Sequence, residues 1–90
     1  MSGYTHLYSV ELSVRHQPTG RTVHRAGSET LPAPSSLAIV AYPGEAEYYL
    51  LYLAADGSEM TDTLHDSPRT AMEQAEWEFG VRPNEWRAVP

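Results

Sequence analysis

The groups with chemistry to offer in this sequence are four histidines, twelve acids and a serine that follows a His-Asp pair. His16 and His24 flank a turn-like stretch and His6 lies upstream. Two imidazoles could begin a metal site. Neither H-x-x-x-H nor H-E-x-x-H spacing occurs, however, and there is no cysteine, so no metal is expected. His65, Asp66 and Ser67 are consecutive. A Ser-His-Asp triad depends on geometry, and neighbouring side chains on a strand point to opposite faces. Ser67 is better used as a helix cap, and His65 as a hydrogen-bonding group at a strand–helix joint. Glu73 and Glu76 are three apart and are neighbours on a helix. A glycosidase-like pair also needs a cleft that raises one carboxyl by burial. A short single-layer α+β domain seldom builds one. No G-x-G-x-x-G or P-loop spacing is present. The expectation is a protein with no catalytic residues and no cofactor.

Trp77 is the more informative residue. It stands among Glu73, Glu76 and Glu78 in "MEQAEWEFG". At 100° per residue it falls roughly 160° from the centre of the apolar stripe of its helix. Either the tail from residue 81 onward, with Trp86 and Val89, folds over it, or it is exposed. An aromatic side chain among charges has the composition of a protein-binding hot spot. Asp62, Asp66, Glu73, Glu76, Trp77 and Trp86 are therefore the candidate partner-binding residues.

The elements that would position these groups are legible in outline. Residues 4–14 alternate, with Tyr4, His6, Tyr8, Val10, Leu12 and Val14 on one face, which predicts a half-buried strand. "QPTG" is a turn, and residues 21–26 make a plausible returning strand and first hairpin. Residues 27–36 carry two prolines, a glycine and three serines and predict a loop. "LAIVAY" is a short apolar run that ends at Pro43-Gly44. "YYLLYLA" is apolar throughout and predicts the centre of the sheet. Asp56-Gly57 marks a hairpin turn, after which residues 60–65 alternate again.

One helix follows. Ser67 suits the N-cap, Pro68 the first turn, and Gly80 the left-handed residue that ends it. Asp66 puts negative charge near the positive end of the helix dipole. Pro68, Ala71, Met72, Ala75 and Phe79 form the stripe that seats it. The expected fold is α+β: an antiparallel β-meander of four to five strands with one C-terminal helix packed on one face.

Ninety residues predict a single domain over 1–90. The sequence has no apolar run near 18 residues and no basic-then-apolar leader, so neither a membrane span nor a secretory signal is expected and the cytoplasm is the default. The net charge of −6 is uneven. Residues 1–27 set three arginines against Glu11, and residues 28–90 set three arginines against eleven acids. The acidic part would be repelled by phosphate backbones, which argues against nucleic acid as a partner and for a basic protein.

"YYLLYLAADGSEMTDTLHDSPRTAMEQAEWEFGVRPNEW" resembles the end of a family of small bacterial proteins. The shared pattern is an aromatic-leucine strand, a D-G or N-G turn, T-D-T-x-H, a cap, A-x-x-Q-A-E-[WF]-E-F-G and a final E-W. It is matched here by Tyr49, Leu50, Tyr52, Asp56, Gly57, Thr61, Asp62, Thr63, His65, Ala71, Gln74, Ala75, Glu76, Trp77, Glu78, Phe79, Gly80, Glu85 and Trp86. The resemblance covers residues 48–86 and leaves the first half unplaced. Some such small acidic proteins look like immunity proteins, which block a toxin by binding it. The resemblance implies an immunity-type inhibitor that occludes a basic toxin site, and it implies no catalytic residues. It also suggests that Asp62, His65 and Gln74 pin the strand–helix joint. The alternatives are a homodimeric adaptor, or a small ligand-binding domain with a pocket lined by Tyr4, Tyr8, Tyr48 or Tyr52.

Overall fold

A computed structural model describes residues 3–13, 25–26, 29–30 and 34–89. It contains a five-stranded antiparallel sheet and one helix, an α+β fold. The strands are β1 (Thr5–Glu11), β4 (Ser36–Ala41), β5 (Tyr48–Leu53), β6 (Glu59–His65) and β7 (Arg87–Ala88). They lie side by side in the order β6-β5-β4-β1-β7. β2 (Arg25–Ala26) and β3 (Glu29–Thr30) pair separately with each other. The helix α1 spans Pro68–Phe79, and a 3-10 turn follows at Pro83–Glu85.

Most of the expected first hairpin, residues 14–24, lies outside the described residues. Among the described residues β1 pairs with β4, and Arg25–Ala26, the end of the expected returning strand, pair with Glu29–Thr30 of the stretch expected to be loop. The "QPTG" turn and Val14 lie outside the described residues. Because β1 joins the far side of β4, β4 becomes the central strand and β5 sits one place from the edge. β5 is still covered on both faces: Leu50, Leu51 and Tyr52 are all at most 1% exposed.

The uniform face expected of β1 is broken by a bulge. His6 pairs with Val40 and Tyr8 with Ile39, so Leu7 is an extra residue between them. Tyr4 and His6 consequently lie on the face away from the helix, with Tyr42 and Tyr49. Tyr8, Val10 and Leu12 lie on the helix face. Tyr4 and Tyr8 therefore cannot line one pocket.

The main core is on the helix side. Val10, Leu37, Ile39, Leu50 and Tyr52 of the sheet meet Ala71, Ala75 and Phe79 of α1. The small Ala71 and Ala75 let the helix approach closely, and both are fully buried. Burying Phe79 alone is worth about 1.5–3 kcal/mol. The chain after Gly80 completes this layer with Val81 and Trp86, then adds β7 beside β1.

Candidate functional site

The boundaries of α1 are set by its local chemistry. Ser67 has extended φ and ψ of −156° and 159°, and its hydroxyl accepts the Thr70 N–H at 3.2 Å. The Thr70 hydroxyl reaches back to the Ser67 N–H and completes a capping box. Asp66 is held at this joint, where its Oδ1 accepts the Thr70 hydroxyl at 3.1 Å. At the other end Gly80 takes a left-handed φ of 72° and donates its N–H to the Glu76 carbonyl at 2.9 Å. The surface of α1 is thus presented on a rigidly seated helix.

That surface has two flanks. On one, Tyr8 of β1, Pro68, Arg69, Met72, Glu73 and Glu76 of α1, and Pro83 of the 3-10 turn line a groove of about 460 Å³. Arg69 Nε lies 3.5 Å from Glu73 Oε2. Both side chains are well exposed, so this pair contributes little to stability. On the other flank, about 60° around the helix from Gln74, is Trp77. It is 41% exposed.

Of the two alternatives for Trp77, exposure is the one found, because the tail takes another path. Val81 and Trp86 turn into the core, at 0% and 9% exposed, and Arg87–Ala88 pair with β1 at the sheet edge away from β6. Trp86 is a core residue, with little surface to offer a partner. Its indole N–H is buried without a hydrogen-bond acceptor, so packing alone positions the ring.

Asp62 is exposed, but it pairs with Leu51 across the sheet and so sits on the face away from α1. There it adjoins a tyrosine row. Tyr4 packs edge-on against Tyr42 at 5.4 Å, and Tyr42 edge-on against Tyr49 at 5.1 Å. Tyr49 donates its hydroxyl to Glu45 Oε1 at 3.1 Å. Burial, and after it a hydrogen bond with Asp62, push the Glu59 carboxyl above its ordinary range. The six candidates thus divide into Glu73, Glu76 and Trp77 on α1, Asp66 at its start, Asp62 on the far face and Trp86 inside.

The polar group that sequence reasoning missed is Glu78. It is 3% exposed within the seat of the helix. The Tyr52 hydroxyl donates to Glu78 Oε1, and Gln74 Nε2 donates to the same oxygen at 2.8 Å. Burial, then this bond to a carboxylate, pushes the Tyr52 phenol far above its ordinary value. A hydrogen bond to Thr63 acts in the opposite sense. Thr63 Oγ1 lies 2.8 Å from His65 Nε2. Burial lowers the pKa of His65, against the opposing pull of Asp66 and Glu78. A signal for Glu78 existed: it is three residues past Ala75 and seven past Ala71, which places a carboxylate on the apolar stripe. Gln74, one turn earlier, is the partner such a residue requires.

This network ties β5 and β6 to α1 below the surface. Tyr52 is only 1% exposed, and its bond to Glu78 lies inside the protein at this joint. No family model matches the chain, and comparisons with curated proteins and with solved structures gave no match.

Proposed function

We propose that this chain is a non-catalytic binding domain, an immunity-type inhibitor that neutralises a bacterial toxin by occluding its basic active site. The observation that carries this is the outer surface of α1. A half-exposed tryptophan and two exposed carboxylates stand on a helix fixed by a capping box, a left-handed glycine and a buried hydrogen-bond network. Rigid aromatic anchors beside charge lose little entropy on binding and can be fully desolvated by a partner. Eleven acids against three arginines over residues 28–90 supply a field that attracts a basic cleft. The resemblance of residues 48–86 to small acidic bacterial proteins supports the same reading. No described helix is long and apolar enough to cross a membrane, and the proposed site of action is the cytoplasm.

The experiment is to sequence the genes beside this one and co-express the chain with any toxin encoded there. Rescue of growth together with a stable complex supports the reading; a toxin that neither binds the chain nor loses its effect refutes it.

A second reading, a homodimeric adaptor, is favoured by one feature. β6 is a seven-residue edge strand with Leu64 58% exposed, a surface on which a second copy could pair. Light scattering over a concentration series separates the two: mass that doubles with concentration favours the adaptor.

A further inference from the structure

Resting on the inhibitor reading, we propose that the groove between α1, β1 and the 3-10 turn is a socket for one arginine side chain of the basic partner. Its lining matches a guanidinium in three ways. Tyr8 offers an aromatic ring, Met72, Pro68 and Pro83 offer apolar contact, and Glu73 and Glu76 bring carboxylates to it. A guanidinium is planar and weakly hydrated, so it stacks on aromatic and apolar surface while it pairs with carboxylate. An ammonium is more strongly hydrated and gains less from such walls. The two carboxylates are not equivalent. Glu73 is already paired with Arg69, which lies one turn away and also lines the groove. Glu76 has no hydrogen bond or ion pair from its side chain among the described residues. It is the acceptor left for an incoming cation.

Charge on the far sheet face is less suited to this role. Glu45 already accepts from Tyr49, and Glu59 is engaged with Asp62. The groove has a volume of about 460 Å³, enough to take a side chain. The partner class is therefore a protein that projects an arginine from the rim of its basic site into this groove, with Trp77, one turn from Glu73, placed for contacts beside it.

The test uses the whole chain, isotope-labelled, and amide chemical shifts as the readout. The probe is a blocked Gly-Arg-Gly peptide, run beside Gly-citrulline-Gly, which keeps the shape and loses the charge, and Gly-Lys-Gly. The arginine peptide is expected to move Tyr8, Met72 and Glu76, the lysine peptide to bind more weakly, and the citrulline peptide to leave them in place. Glu76→Gln should weaken the arginine peptide about tenfold, the worth of one charge-assisted contact. Glu73→Gln should change it by less than about threefold. Both positions are exposed, so the variants keep the fold. Equal shifts from arginine and citrulline, shifts centred on Asp62 and Tyr49, or an unchanged affinity for Glu76→Gln each overturn the socket. A chain that rescues growth without these shifts retains the inhibitor reading and loses the socket. Shifts without rescue show a socket in a protein that is not the proposed inhibitor.

Discussion

Tyr52 donates its hydroxyl to the carboxylate of Glu78 across the buried junction of β5 and α1. An acid 3% exposed is tolerated there because Tyr52 and Gln74 both donate to the same oxygen. Removing one donor leaves a buried acceptor short of a partner, while changing both sides of the bond together relieves part of that cost. Tyr52→Phe should therefore lower unfolding free energy by about 1–3 kcal/mol in urea. The double variant Tyr52→Phe, Glu78→Gln should lose less than the sum of the single losses. Additive losses would show that the two side chains are not coupled.

His65 predicts a dependence on pH. Burial lowers its folded-state pKa below the ordinary imidazole value, so the unfolded chain takes up a proton more readily. The stability held by neutral His65 is present above about pH 6.5. It is lost as pH falls from there through the folded-state value. Urea midpoints of the wild type should drop over that window more than those of His65→Gln. Parallel curves for the two proteins would contradict the assignment.

The ends of α1 make a local prediction. Ser67→Ala removes the capping hydroxyl and should cost about 1 kcal/mol. Gly80→Ala meets no steric neighbour, so its cost is that of a left-handed residue with a side chain, about 1–2 kcal/mol. Thermal denaturation of both variants measures these losses; a Gly80→Ala protein as stable as wild type would mean that the helix ends differently.

These ends were readable because each depends on a few adjacent residues. Ser67-Pro68 and Gly80 carry their conformational preferences with them wherever the chain goes. The strand pattern of residues 60–65 and the Asp56-Gly57 turn were legible for the same reason: Gly57 has φ of 87°, and the Ser58 N–H bonds to Asp56 Oδ1 at 2.9 Å. The two faces of β1 were not. Its bulge at Leu7 is set by register against β4, a strand some thirty residues away. Nor was the path of Trp86, whose burial follows from β7 pairing with β1 at the other end of the chain. Trp77 was legible as a residue off the apolar stripe, yet its exposure depended on that same tail. Glu78 was overlooked because a charged residue on the stripe reads as a surface position until its partners Tyr52 and Gln74 are seen together.

The two tryptophans should separate by fluorescence. Trp77 is 41% exposed and Trp86 is 9% exposed. Trp86→Phe leaves an emission that is red-shifted and readily quenched by acrylamide; Trp77→Phe leaves one that is blue-shifted and protected. The reverse order would place the tail over α1. Binding of a partner at α1 should then shield Trp77 alone.

The most direct measurement is the affinity of the co-expressed toxin domain for three forms of this chain, by calorimetry at low and high salt. Wild-type binding should weaken as salt rises. The Glu76→Gln, Trp77→Ala variant should lose about 30-fold or more, as a hot spot would. Asp62→Asn, on the opposite face, should bind within about twofold of wild type. Wild-type affinity in the α1 variant, with the loss falling on Asp62→Asn, would contradict a binding surface on the helix.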